Sequence, residues 1–163
     1  MLKYIGPLIV VADMSVSRNF YEQLLGQKVQ MDFGENVSFE GNLAIHSKPH
    51  FQALLGGAAQ YPVTNKANNG ELYFETDEIE QVCRRLEEAG VEFIHTIREQ
   101  PWGQRVLRLY DPDGFIVEVG ETMEIVTWRL HRQGLSIEQV VGKTGMPREF
   151  VEGVLRENAA PEI

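Results

Sequence analysis

The same succession of local signals runs twice along this chain, and that repeat limits the folds open to it. In the first copy, a β-branched run over residues 5–11 leads into a helix signal. Asp13 suits an N-cap, Val16, Phe20 and Leu24 recur at helical spacing, and Gly26 ends the helix. Three short strand-like pieces follow, at residues 28–33, 36–40 and 43–47, separated by Gly34 and by Gly41-Asn42. In the second copy, residues 71–76 alternate as a strand, with Leu72 and Phe74 on one face and Glu71, Tyr73 and Glu75 on the other. Asp77 and Glu80 read as a capping-box pair, and Ile79, Val82, Cys83 and Leu86 form a helical stripe that stops at Gly90. Strands are expected at residues 92–97, 105–110 and 115–119, the last two joined by the tight turn Asp111-Pro112-Asp113-Gly114.

The chain therefore reads as α+β. Two βαβββ modules, about residues 3–48 and 70–121, form a curved, open mixed-sheet barrel, and a long loop from about residue 49 to 69 joins them. A repeated unit closes a core against its own copy. The concave face left between curved sheets is the natural seat of a small ligand. Residues 1–122 make this domain, and residues 123–163 add an all-helical tail.

Particular residues carry a family resemblance. Val10-Val11-Ala12-Asp13, Phe20-Tyr21-Glu22 and Leu24-Leu25-Gly26 resemble the first strand and helix of the vicinal oxygen chelate superfamily, the group of glyoxalases, bleomycin-resistance proteins and extradiol dioxygenases. Trp102-Gly103 and the run from Asp111-Pro112-Asp113-Gly114 to Glu118 resemble its closing hairpin. The resemblance covers roughly residues 3–121 and implies the fold; it says little about which member this is.

In metal-dependent members of that superfamily four positions converge on the concave face, and the resemblance carries them to Gly6, His46, Glu71 and Glu118. Glycine ligates nothing. His46, Glu71 and Glu118 remain as a candidate set for a divalent ion, Mn²⁺, Fe²⁺, Ni²⁺ or Zn²⁺, with Glu71 or Glu118 as the base that moves a proton. The two-His, one-carboxylate iron triad is not matched unless His50 or His95 joins, which argues against ring-cleaving dioxygenase chemistry. The structural alternatives are a solvated strand-end carboxylate at Glu71, a loop cap at His46 and a hairpin residue at Glu118. As ligand contacts the sequence offers Trp102, in the loop before the closing hairpin, Tyr73 on the face of Glu71, and His50 at the start of the inter-module loop. Arg105 is a further candidate, but Arg105 and Arg108 fall on opposite faces of one strand, so at most one enters the cleft.

Charge and cysteine use narrow the partners. The 163 residues carry a formal net charge of −9, which argues against nucleic acid or an anionic membrane and would suit a cationic ligand. Cys83, the one cysteine, lies on an apolar helix face and is expected to be a buried thiol; no intrachain disulfide is open to it. The N-terminal apolar run is too short to span a bilayer, and a cytoplasmic protein is expected. The superfamily implies a homodimer.

The tail changes pattern. Val126, Thr127 and Leu130 form one stripe, Ser136 and Gln139 a capping box before Ile137, Val140 and Val141, and Pro147 opens a helix with Phe150, Val151, Val154 and Leu155. Residues 134–155 resemble a small helix-turn-helix, but Arg148 and Arg156 are balanced by Glu149, Glu152 and Glu157, so steering to phosphate is missing.

Three functions follow. The first is a metal-using enzyme of the glyoxalase, isomerase or lyase kind. The alternative is a metal-free, bleomycin-resistance-like binder of a cationic or aromatic small molecule, favoured by Gly6, by the cluster of Glu71, Glu75 and Glu118, and by net charge. The third is a regulator that uses its tail for partner or DNA contacts.

Overall fold

A computed structural model describes residues 1–57 and 60–159. The elements are β1 (Leu8–Val11), α1 (Met14–Arg18, continuing as a π-helical turn over Asn19–Leu24), β2 (Val29–Asp32), β3 (Asn36–Phe39), β4 (Ala44–Ser47), α2 (Lys48–Leu54), β5 (Glu71–Thr76), α3 (Ile79–Glu88), β6 (Phe93–Glu99), β7 (Arg105–Tyr110), β8 (Ile116–Glu121), α4 (Met123–Arg132), α5 (Ile137–Thr144) and α6 (Arg148–Ala159). The strands form two four-stranded sheets, ordered β1-β4-β3-β2 and β5-β8-β7-β6. The permutation is identical, so the repeat seen in sequence is a repeat of topology. Both modules also carry a register shift between their second and third strands, at Val29/Met31 in one and around His95 in the other. Such bulges bend and twist a strand.

By contacts the chain divides into two compact units, residues 1–70 with 110–116, and residues 71–109 with 117–163. In the first unit β1 runs parallel to β4, while β3 pairs antiparallel with both β2 and β4. Val11, Val37, Phe39 and Ile45 are fully buried there, beside Phe20 and Tyr21. Asp13 caps α1 by accepting from the Val16 amide, as its sequence position suggests. The buried stripe of that helix differs from the expected one. Ser17, Phe20 and Tyr21 turn inward while Val16 stays half exposed. The widened π turn, in which Leu25 N donates to Phe20 O, lets two adjacent aromatics enter the core edge to face, their centroids 5.1 Å apart.

The Asp-Pro-Asp-Gly turn belongs to this unit and is fastened from within. Asp111 accepts from the Asp113 and Phe115 amides and from the Tyr21 hydroxyl; Asp113 accepts from the Ala12 amide at 2.7 Å and the Ser17 hydroxyl at 3.2 Å. The motif is thus a set of buried acceptors for α1 as much as a turn.

Two expectations fail here. The inter-module stretch is not all loop, because Ser47 caps the short helix α2, with Pro49 in its first turn where the missing amide costs nothing. Asp77 and Glu80 form no capping box either. Glu78 stands at the N-cap of α3 without a side-chain cap, and Asp77 instead accepts from the Thr122 hydroxyl at 2.6 Å.

In the second unit, Ile79 and Leu86 of α3 are fully buried with Leu107, Leu109 and Val117. Cys83 is buried, and burial raises its thiol pKa, as expected of a structural cysteine. The tail is part of this unit. Its core is Val126, Leu130, Val140 and Val151, with Met123, Ile137, Phe150 and Leu155 against it. The Ser136–Gln139 capping box is complete, and Gly145 closes α5 in the left-handed region at φ 72°. Arg148 is committed to Glu138 and Glu152. Residues 160–163 of the expected extension lie outside the described residues, among which no helix is long and apolar enough to cross a membrane.

Candidate functional site

Alternation along the second sheet decides which side chains share a face. Glu71, Tyr73 and Glu75 project from one side of β5, Glu118 and Gly120 from β8, Gln104 and Arg108 from the start and body of β7, and His95 from β6. Because β8 lies between β5 and β7, these residues form a row across the sheet. Arg108 is its centre. Its Nε donates to Glu71 Oε2 at 3.1 Å, its Nη1 lies 3.4 Å from His95 Nε2, and its Nη2 makes an ion pair with Glu118. That last contact is charge against charge, since Glu118 Oε2 accepts no aligned hydrogen bond. His95 Nδ1 lies 2.8 Å from the Thr96 carbonyl, so that nitrogen carries the proton and Nε2 accepts from Arg108.

A second group adjoins the row. Trp102 Nε1 donates to Gln104 Oε1 at 3.0 Å, and Gln104 Nε2 donates to the Tyr73 oxygen and to the Glu121 carbonyl, each at 2.7 Å. Tyr73 in turn donates to Glu75. Burial and the Glu75 carboxylate both raise the Tyr73 pKa, so it stays a neutral donor at physiological pH. Gly120 makes this group possible, because a Cβ there would lie 2.8 Å from Gln104 Nε2 and 3.2 Å from the Tyr73 oxygen. Tyr73 and Trp102 keep 49% and 40% of their surface exposed, which leaves two aromatic rings open beside an acidic row.

Arg105, the other arginine of β7, faces the opposite way and is held by the buried Glu121 and by Glu80. It is a structural cation of the helix-covered face. Gln104 and the central role of Arg108 escaped the sequence reading, although Gln104 shares the parity of Arg108 and that alternation was available to find it.

In the first unit, His46 is 7% exposed and both its ring nitrogens are engaged. Asn36 Nδ2 donates to Nδ1 at 3.2 Å, so Nε2 carries the proton and donates to His50 Nδ1 at 2.7 Å; the two rings stack with centroids 5.0 Å apart. Burial lowers the His46 pKa, and repulsion from His50 lowers it further. His50 is thus the partner of His46 on α2.

The candidate metal ligands are each engaged by protein side chains within their own unit. Glu71 and Glu118 share the one guanidinium of Arg108, His46 spends both nitrogens on protein partners, and among the described residues no group of three His, Cys, Asp or Glu stands in ligand geometry. Gly6 has its own structural reason. A Cβ at that position would sit 2.1 Å from the Asn42 carbonyl oxygen, so no side chain enters without backbone movement. Gly6→Ala is expected to lower stability by about 1–3 kcal/mol, read from urea unfolding; an unchanged midpoint would show that the backbone gives way freely.

Comparison with known proteins adds a family. The glyoxalase-like domain family matches residues 4–124 and leaves the tail unmatched. Among solved structures, a protein of unknown function from Agrobacterium tumefaciens strain C58 is 35% identical with a TM-score of 0.66, over 75% of this chain and 95% of that one. A glyoxalase/bleomycin resistance protein/dioxygenase from Nocardioides is 22% identical, with a TM-score of 0.58 over 74% and 84% of the two chains. A lactoylglutathione lyase from Agrobacterium tumefaciens is also 22% identical, with a TM-score of 0.55 over 73% and 92%. At that identity the last two show a shared fold. Comparison with curated proteins finds no match.

Proposed function

The chain belongs to the glyoxalase-like domain family, and from that premise we propose that it binds a cationic, aromatic small molecule on the open face of its second sheet, without a resident metal. The observation that supports this reading is Arg108, which fills the place between Glu71 and Glu118 that a cation would otherwise occupy. Three carboxylates, Glu71, Glu75 and Glu118, still outnumber this single guanidinium, so the face retains negative charge. Tyr73 and Trp102 beside it offer faces for cation–π contact. The protein's net charge of −9 draws a cation toward it.

The test has two arms. Protein purified without chelator or affinity metal is assayed for bound metals, before and after incubation with Mn²⁺, Fe²⁺, Ni²⁺ and Zn²⁺. It is then titrated calorimetrically with N-methylquinolinium. The expected results are no stoichiometric metal and a binding isotherm that weakens about 2- to 5-fold in Glu75→Gln, the loss of one exposed carboxylate from that face. About one divalent ion per chain, lost in both His46→Ala and Glu118→Ala, would overturn the reading and restore a metal-using lyase or isomerase.

A further inference from the structure

The helical tail touches the loop that carries Trp102 at Gly103. Arg129 of α4 donates through Nη2 to the Gly103 carbonyl at 2.5 Å, and the same guanidinium reaches Glu121 at 2.7 Å and Glu99 at 3.3 Å. Lys143 of α5 binds the other oxygen of Glu99 at 2.9 Å. Gly103 has φ 90°, and a Cβ there would meet Leu130 Cδ1 at 3.0 Å and Lys143 Cε at 3.1 Å. The loop therefore lies flat on the tail, with its carbonyl clamped and its Cα against two tail side chains. Gly103 and Gln104 are buried while Trp102, the residue before them, is left projecting. Trp102 is then tied by Gln104 to Tyr73.

We propose that Arg129, assisted by Leu130 and Lys143, is a positioning residue for Trp102, so that the tail sets the pose of the site's aromatic wall and its preference for aromatic over aliphatic cations. The selectivity part rests on the ligand reading above; the positioning part does not. Arg129 is suited to the task because one rigid, planar fork reaches a backbone carbonyl and two carboxylates together. The tail also starts from a fixed point. Only Thr122 separates β8 from α4, and its hydroxyl both caps α4 and donates to Asp77. The match to the glyoxalase-like family ends at residue 124, before Arg129, Leu130 and Lys143, so this clamp is an addition to the family domain.

The experiment uses the full chain carrying Trp128→Phe, which leaves Trp102 as the one tryptophan of two. Acrylamide quenching of Trp102 is compared in that parent, in Arg129→Met and in Lys143→Ala, with Arg148→Ala as a tail substitution remote from the loop. Binding of N-methylquinolinium and of tetramethylammonium is titrated in each. Quenching should rise about 2-fold in Arg129→Met and measurably in Lys143→Ala, and stay unchanged in Arg148→Ala. Affinity for the aromatic cation should fall about 3- to 5-fold, as expected for a displaced stacking partner, with tetramethylammonium, which has no ring to stack, changed less. Unchanged quenching in Lys143→Ala and in any folded Arg129→Met overturns the proposal. So does an equal loss for both cations, which would mean general loosening. If quenching rises as described but neither cation binds the parent, the positioning stands and the ligand reading falls.

Discussion

Glu121→Ala should cost about 3–5 kcal/mol of unfolding free energy, because it removes one partner from a buried ionic cluster and strands the others. Glu121 is fully buried at the end of β8. Its carboxylate accepts from the Arg105 amide at 3.0 Å and Nε at 2.9 Å, and from Arg129 Nη2 at 2.7 Å. Without it two guanidiniums remain beside the sheet, with Glu80 and Glu99 as their remaining carboxylates, each about half exposed. Glu121→Gln keeps an acceptor and should cost less. Burial alone would raise the Glu121 pKa, but the hydrogen bonds from Arg105 and Arg129 outweigh it and hold the group below its ordinary 4.5. The folded state therefore prefers the ionised form. Its stabilisation is complete above pH 4.5 and is lost as pH falls through the folded value. Urea unfolding of wild type and both variants between pH 7 and pH 3 checks both points. A loss below about 1 kcal/mol at neutral pH would mean that the arginines find other partners.

Much of this architecture is legible in the sequence. The limits of β5 and β7 coincide with the alternation that announced them, and the capping box of α5 forms as its Ser136–Gln139 spacing suggests. Those signals are local and no tertiary contact competes with them. Where a distant partner was available, local rules lost. Asp77 bonds Thr122, 45 positions away, instead of capping α3. Ser17, held by Asp113, draws its own face of α1 inward and leaves Val16 outside. For the site, period-2 parity put Glu71 and Tyr73 on one face. It could not say that β8 would lie between β5 and β7, which is what brings Glu118 and Glu71 to the same guanidinium. Glu121 was hidden by a boundary. Ending the last strand at Val119 removed from view a carboxylate on the same parity as Val117 and Val119, opposite an arginine.

The second large effect lies in the hairpin turn. Asp111→Ala should destabilise by about 3–4 kcal/mol, since it leaves the Tyr21 hydroxyl and two turn amides buried without an acceptor. Asp111 is 4% exposed, and its partners stand at 2.7 Å, 3.0 Å and 2.8 Å. Tyr21→Phe removes one of those three bonds and should cost about 1–2 kcal/mol; combined with Asp111→Ala it should add little, because the bond is already gone. Asp111→Asn separates shape from charge. Its carbonyl oxygen can still accept from the two amides, and its amide can donate to the Tyr21 oxygen, so the neutral-pH cost should be about 1 kcal/mol. Its effect on pH dependence is sharper. Burial raises the Asp111 pKa above its ordinary 3.8 despite the opposing hydrogen bond from Tyr21. The group therefore stabilises the fold below pH 3.8 and progressively less as pH rises through the folded value, opposite in sign to Glu121. In wild type the two partly cancel. Asp111→Asn removes one of them, so its stability should fall more steeply than wild type as pH drops below 5. Parallel slopes for the two proteins in urea unfolding would mean that Asp111 does not titrate in that range.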